Sequence, residues 1–324
     1  MCLKGGKTMK IQDLSINAVR ALGIDAINKA KSGHPGMVLG AAPILYTLMT
    51  KFINATPKQS NWFNRDRFIL SAGHASMLLY ANLHFAGYQI SMEDIQQFRQ
   101  VYSKTPGHPE FGHTDGVDCT SGPLGQGLAH AVGFAIAEKH LAKRYNRPEL
   151  PVVDHYTYVL CSDGDLQEGL SQEAISLAGQ LQLNKLIVVY DKNDVTLDGD
   201  LSLTNQEDTQ KRFESAGWNV EKIDGMSVIE LELALHKAQD SDKPTVIIAQ
   251  TIIGYGSANQ ATYKVHGAPL GEEDGNRVKE FLNWNYPPFV IPNEVYEHYY
   301  QTFGKRGNAA YRQWKYLFKK YEEV

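Results

Sequence analysis

The chain has 324 residues, 43% of them hydrophobic and 21% charged, with a formal net charge of −4. This composition supports a packed globular core in one large or two ordinary domains. The lack of a basic excess excludes a nucleic-acid partner from the leading readings, and no run approaches the roughly 18 apolar residues of a membrane span.

Residues 1–10 lack periodicity and the apolar core of a secretory signal. They read as a disordered leader, with Met9 as a possible natural start. A long helix is expected from Ile11 to Lys31, with Leu14, Ala18, Leu22, Ala26 and Ala30 on one face. Ser32-Gly33-His34-Pro35-Gly36 ends it, and a second helix is expected over Val38–Phe52. Short β-rich runs follow at Arg67–Ser71, Tyr156–Cys161, Lys185–Tyr190, Trp218–Ile223 and Thr245–Thr251. Helical stretches lie between them at Leu124–Tyr145, Glu168–Gln180, Glu207–Ala216 and Val228–Gln239. Buried strands alternating with helices predict an α/β fold with a doubly wound, mainly parallel sheet. Ligands of such sheets sit beyond the carboxyl ends of the strands. Asn283–Pro292, with three prolines, reads as an extended strap. A final helix from Asn308 carries Tyr311, Trp314, Phe318 and Tyr321 on one stripe. Twelve of the 33 aromatic residues lie between Trp284 and Val324, an excess expected to pack on a partner surface.

Asp163 falls just past one predicted strand, and Asn193 just past the next, 30 residues on. That interval is one strand–helix–strand unit, so the two side chains would stand side by side. Read singly, Asp163 is an ordinary N-cap and Asn193 an ordinary turn residue. Together they are hard oxygen ligands for Mg²⁺ or Ca²⁺ bridging to phosphate. Among the 11 histidines, His34, His74, His108 and His266 abut glycine in tight turns. Imidazoles so placed suit anion contacts or proton transfer near neutral pH. Their scatter does not suit a zinc site. Gly122-Pro123-Leu124-Gly125-Gln126-Gly127 enters a helix, and reads equally as a phosphate cradle or as a tight packing loop. The three cysteines, Cys2, Cys119 and Cys161, have no metal-like spacing, which points to a reduced, cytoplasmic setting.

In order along the chain, SGHPG (32–36), LSAGHASMLL (70–79), TPGHPE (105–110), GPLGQG (122–127), DGDLQEG (163–169), Asp198-Gly199 and VHGAPL (265–270) resemble the transketolases. The resemblance runs from about Asp13 to Leu270, and more loosely beyond. It implies the domain that binds the diphosphate of thiamine diphosphate. Asp163, Asn193 and the Val195 carbonyl would then hold Mg²⁺ or Ca²⁺. Gly164, His74 and His266 would contact the diphosphate, Gly122, Pro123 and Leu124 would approach the aminopyrimidine, and Ile253 would wedge the cofactor. His34, His108 and His266 would serve substrate recognition and proton transfer. Glu168 would join an acidic cluster across a homodimer. Ser162 departs from the usual glycine, and tolerance is expected.

The resemblance implies transfer of a two-carbon ketol unit from a ketose phosphate to an aldose phosphate, as in the pentose phosphate pathway. Residues 11–282 are expected to form the diphosphate-binding domain. Residues 283–324 would be an arm toward an absent pyrimidine-binding domain or subunit. The isolated chain, whether truncated or a split subunit, is expected to be inactive. Rivals are a dihydroxyacetone synthase, a non-catalytic transketolase-like module and, last, a generic Mg²⁺-dependent phosphate-ester enzyme.

Overall fold

The computed structural model describes residues 9–323, so Cys2 and most of the expected leader lie outside the described residues. Its sheet contains β1 (Arg67–Leu70), β2 (Thr157–Ser162), β3 (Leu186–Lys192), β4 (Asn219–Asp224) and β5 (Thr245–Gln250). The order is β1-β2-β3-β5-β4, and every neighbouring pair is parallel. The expected doubly wound α/β sheet is therefore present. β2 is buried along its whole length, which is why it reads as a continuous apolar run rather than an alternating one.

Successive residues of the central strands feed two cores. Tyr158, Leu160, Ile187, Val189 and Ile247 join the side built by helices Ile11–Ala30, Ser76–Ala86 and Val228–Gln239. Val159, Cys161, Val188, Tyr190 and Val246 join the side built by helices Gln126–Tyr145 and Gly169–Gln180. The two sides follow from the period-2 alternation of strand side chains.

Three expectations are corrected. The first helix does not have a single apolar face. Ser15 to Ile24 is buried all round, because helices Ser76–Ala86, Gly271–Phe281 and Asn293–Tyr299 pack against it from several sides. Such a helix loses the amphipathic signature. The expected helix Val38–Phe52 is broken into Pro35–Gly40, Ala42–Thr47 and a wider π-turn at Leu48–Phe52. Pro43, which has no N–H to donate, sits at the break.

The third correction concerns the aromatic tail. Val295, Tyr299 and Phe303 belong to the main core, each with no exposed surface. Tyr299 donates to Asn82 Oδ1 at 2.7 Å, and Arg306 Nη2 donates to the carbonyls of Met49 and Ile53 at 2.7 and 2.8 Å. The stripe on the last helix, Lys305–Tyr321, has partners in its own chain. Trp314 meets Phe63 edge-on at 4.8 Å, Tyr311 meets Trp62 at 5.6 Å, and Trp314 Nε1 donates to the Val152 carbonyl at 2.9 Å. Periodicity announces an apolar face, but not which loop of the same chain meets it.

Candidate functional site

β2 and β3 run in register to their ends, with Ser162 opposite Asp191. The chain leaving each supplies the polar groups. Asp163 opens the short helix Asp163–Gln167 and is 2% exposed. Its carboxylate accepts from the Tyr190 hydroxyl and from the amides of Asn193 and Asp194, at 3.1 and 3.2 Å for the amides. Burial pushes this carboxyl up to about 6, and the bonds from Tyr190 and Asn193 pull it back. Asn193 donates through Nδ2 to Asp191 Oδ2 at 3.1 Å, and its Oδ1 accepts from the Val195 amide at 3.2 Å. Asp191 is fully buried, also accepts from the Thr251 hydroxyl, and is pushed up to about 7 by burial. Among the described residues no three His, Cys, Asp or Glu side chains cluster as a metal centre. A cation here would draw on Asp163, the Asn193 amide oxygen and the Val195 carbonyl, completed by a ligand's own oxygens. That donor set suits a hard cation such as Mg²⁺ or Ca²⁺.

The histidines converge. His34, His74, His108 and His266 line one cavity of about 510 Å³, together with Gly122, Leu124, Gly164, Glu168, Asn193, Val195 and Ile253. His34 and His74 ring centres are 4.9 Å apart, His74 and His266 5.2 Å, and His34 and His266 5.9 Å. Two expected residues stand elsewhere. Pro123 is exposed and does not line this cavity, and Asp163 faces an adjoining one that Asn193 and Val195 also border. Burial pushes His34 down to about 4 and His74 well below the usual imidazole range, and it lowers His108 and His266 as well. The pocket therefore holds neutral imidazoles at pH 7. His266 Nδ1 is buried with no partner, the mark of a site shaped for a polar ligand.

The wall below is apolar and close. Val195, Ile253 and Val265 form a small cluster of their own. A Cβ added at Gly36 would stand 2.6 Å from Ile253 Cγ1, so the SGHPG turn can press on Ile253 only with glycine there. The glycine-rich turn both borders the cavity and packs against the sheet ends. Gly122 and Leu124 line the cavity, while Gly125, at φ 78°, donates its amide to Asp165 Oδ1 at 2.8 Å.

Three contributors were not legible in the sequence. Asp165, fully buried, accepts from Ser71 Oγ, the Gly125 amide, the Ser162 amide and Ser162 Oγ, at 2.7–3.0 Å. It thereby ties the ends of β1 and β2 to the glycine-rich turn. The hydroxyl of Ser162, the departure from glycine, is taken up by this carboxylate. Asp191 orients Asn193. Arg99 donates from Nη1 to Ser32 Oγ at 2.8 Å and from Nη2 to His34 Nδ1 at 3.3 Å. Only the position of Asp165 three residues into a capping pattern gave a sequence signal.

Comparison with known proteins identifies the family and the fold. The family described as "Transketolase, thiamine diphosphate binding domain" matches residues 11–324. The chain is 56% identical to the transketolase of Bacillus subtilis and 53% identical to that of Geobacillus stearothermophilus, in each case over 97% of this chain and 48% of the relative. Among solved structures, it superposes on transketolase from Leishmania mexicana with a TM-score of 0.94 at 43% identity, covering 97% of this chain and 47% of that one. For the Campylobacter jejuni transketolase the TM-score is 0.91 at 43% identity, with 97% and 49% covered. The chain thus spans about half the length of the relatives it matches.

Proposed function

The chain belongs to the transketolase family, and from that premise we propose that it is the diphosphate- and metal-binding half of a transketolase. It would move a two-carbon ketol unit from a ketose phosphate to an aldose phosphate. The observation that carries this reading is the gathering of four histidines in one cavity with Asn193 and Val195, residues that also border the adjoining cavity lined by Asp163. Two features support the fit of thiamine diphosphate: the unpartnered His266 Nδ1 and the hard donor set of Asp163, Asn193 and Val195. Mg²⁺ or Ca²⁺ would rest on those three residues. His74, His266 and Gly164 would take the diphosphate, Gly122 and Leu124 would flank the ring beyond it, and Ile253 would support the cofactor from below.

When bound, the cofactor supplies the stabilised carbon nucleophile needed to break and remake a carbon–carbon bond. The chain's own residues orient and move protons. His34, His108 and His266, kept neutral by burial, can bond to substrate hydroxyls, and a ring that presents a bare nitrogen can take a proton without first losing a charge. The remaining catalytic groups would come from a pyrimidine-binding domain or subunit, so the chain alone should not turn over. The exposed Leu170, Leu177 and Leu181 on and just after helix Gly169–Gln180 support a homodimer, with Glu168 at its margin. Cys119 and Cys161 are free thiols, and among the described residues no helix is long and apolar enough to cross a membrane. The free thiols support a reduced, cytoplasmic setting.

The deciding experiment is Asp163→Ala in the protein joined to the second half its relatives carry. Mg²⁺-dependent binding of thiamine diphosphate, followed by calorimetry, is expected to be lost. Unchanged affinity would overturn the metal assignment.

A further inference from the structure

The contact between Arg99 and His34 fixes more than a position. A guanidinium has five N–H donors and no acceptor, and it stays protonated in proteins. Where Arg99 Nη2 meets His34 Nδ1 at 3.3 Å, Nδ1 must therefore present a lone pair. We infer that Arg99 holds His34 in the neutral tautomer that carries its proton on Nε2, and so acts as a positioning residue that turns His34 into a hydrogen-bond donor toward the cavity.

Arg99 is itself held. Its other arm donates to Ser32 Oγ at 2.8 Å, on the same SGHPG turn as His34, and its backbone amide donates to the Thr105 carbonyl at 3.0 Å. A Cβ at Gly107 would lie 3.2 Å from Arg99 Nε, so the TPGHP segment closes over the guanidinium. The groups that bear on His34 are Arg99, His74, His108 and His266, and Asp198 on the same cavity wall bears on His266. No carboxylate among the described residues is bonded to His34 to draw a second proton onto it. With Nδ1 committed to Arg99, Nε2 is the nitrogen left for the cavity that His34 lines. A donor at that point suits a substrate hydroxyl oxygen or a developing alkoxide, and is unsuited to act first as a base. This last use rests on the proposed function, whereas the tautomer rests on the contact alone.

Long-range ¹H–¹⁵N correlation spectra of the histidine rings separate the two. In the unaltered chain, His34 is expected as the Nε2–H tautomer from pH 8 down to pH 5. A His34 that carries its proton on Nδ1, or is protonated at pH 7, would overturn the inference whatever the enzyme does. In Arg99→Met the Nε2–H preference should be lost and the apparent pKa of His34 should rise by about one unit or more, with the resonances of the distant His155 reporting that the fold is kept. Arg99→Lys keeps the charge but cannot bridge Ser32 and His34 together, so it should restore the low pKa without restoring the single tautomer. An Arg99→Met spectrum unchanged at His34 would show that Arg99 does not set it. In the complete enzyme, Arg99→Met should lower kcat more than it raises KM. An equal loss in both, with the His34 spectrum altered as expected, would instead count against the assigned use of His34.

Discussion

Asn193 donates its side-chain Nδ2 to Asp191 Oδ2 across 3.1 Å, two residues back along the chain. With Asp191 Oδ1 accepting from the Thr251 hydroxyl and Oδ2 from Asn193 Nδ2, this bond decides which end of the Asn193 amide faces inward. The oxygen is left for the Val195 amide and for a cation. Removing Asp191 would let the amide turn its nitrogen toward the metal position. Partners of this kind affect metal affinity by roughly 10- to 100-fold. Asp191→Ala is therefore expected to weaken Mg²⁺-supported binding of thiamine diphosphate by about that factor, measured by calorimetry in the protein joined to its second half. Binding at full strength would mean that Asp191 serves the fold alone.

Asp165 makes a different prediction, because its carboxylate satisfies four donors from three parts of the chain. Asp165→Ala would leave Ser71 Oγ, the Gly125 amide and both donors of Ser162 unpaired in a buried place. Orphaning buried donors costs about 1–3 kcal/mol each, not additively, so a loss of about 3–5 kcal/mol in unfolding free energy is expected from urea titration. Asp165→Asn should recover little, since its amide nitrogen would face donors. A loss below about 1 kcal/mol would show that the glycine-rich turn is held by packing rather than by this carboxylate.

The contrast between these two aspartates shows what a sequence can disclose. Four of the five strands were legible as short β-rich apolar runs bounded by polar residues, whereas β4 is an edge strand of mixed residues, none of them buried. Asp163 and Asn193 were legible because they follow such apolar runs. Asp165 and Asp191 lie within two residues of them, yet nothing in their spacing says which donors they meet, since Gly125 and Thr251 come from 40 and 60 residues away. Arg99 was hidden for the same reason. The aromatic tail failed in the opposite direction. Its stripe was visible, but its partners Trp62 and Phe63 sit in a loop with no periodicity to mark it as a docking surface.

That docking has a narrow fit at Gly307. A Cβ there would stand 1.8 Å from the Ala55 carbonyl oxygen, so the last helix approaches the loop backbone to backbone. Relief must come from moving one or the other, and forced overpacking costs about 1–3 kcal/mol. Gly307→Ala should lower the unfolding free energy by that amount. Arg306→Ala, which removes the bonds to the carbonyls of Met49, Thr50 and Ile53, should cost about 3 kcal/mol. In both variants limited proteolysis should cut within Lys305–Tyr321 before it cuts the sheet. Cleavage in the same order and at the same rate as in the unaltered chain would show that the helix docks without this contact.

The pH response of the fold can be isolated at His155, which lies away from the cavity. His155 is 6% exposed, bonds through Nδ1 to Asn64 Oδ1 at 3.2 Å, and is pushed down to about 3 by burial and then by Arg67, Lys185 and Arg65. The unfolded chain binds this proton near pH 6.5, while the folded chain resists it until about pH 3. Stability from the neutral ring is thus complete above pH 6.5 and lost progressively as the pH falls toward 3. At pH 5 the loss is about 2 kcal/mol. Buried carboxyls such as Asp66, pushed up to about 6, act in the opposite sense over part of the same range, so the total curve does not report one group. The difference between His155→Asn and the unaltered chain does. The variant is expected to be the less stable at pH 7 and to narrow that gap by about 2 kcal/mol at pH 5, read from urea titrations at the two values. A gap that stays constant or widens on acidification would show that His155 does not resist its proton in the folded chain.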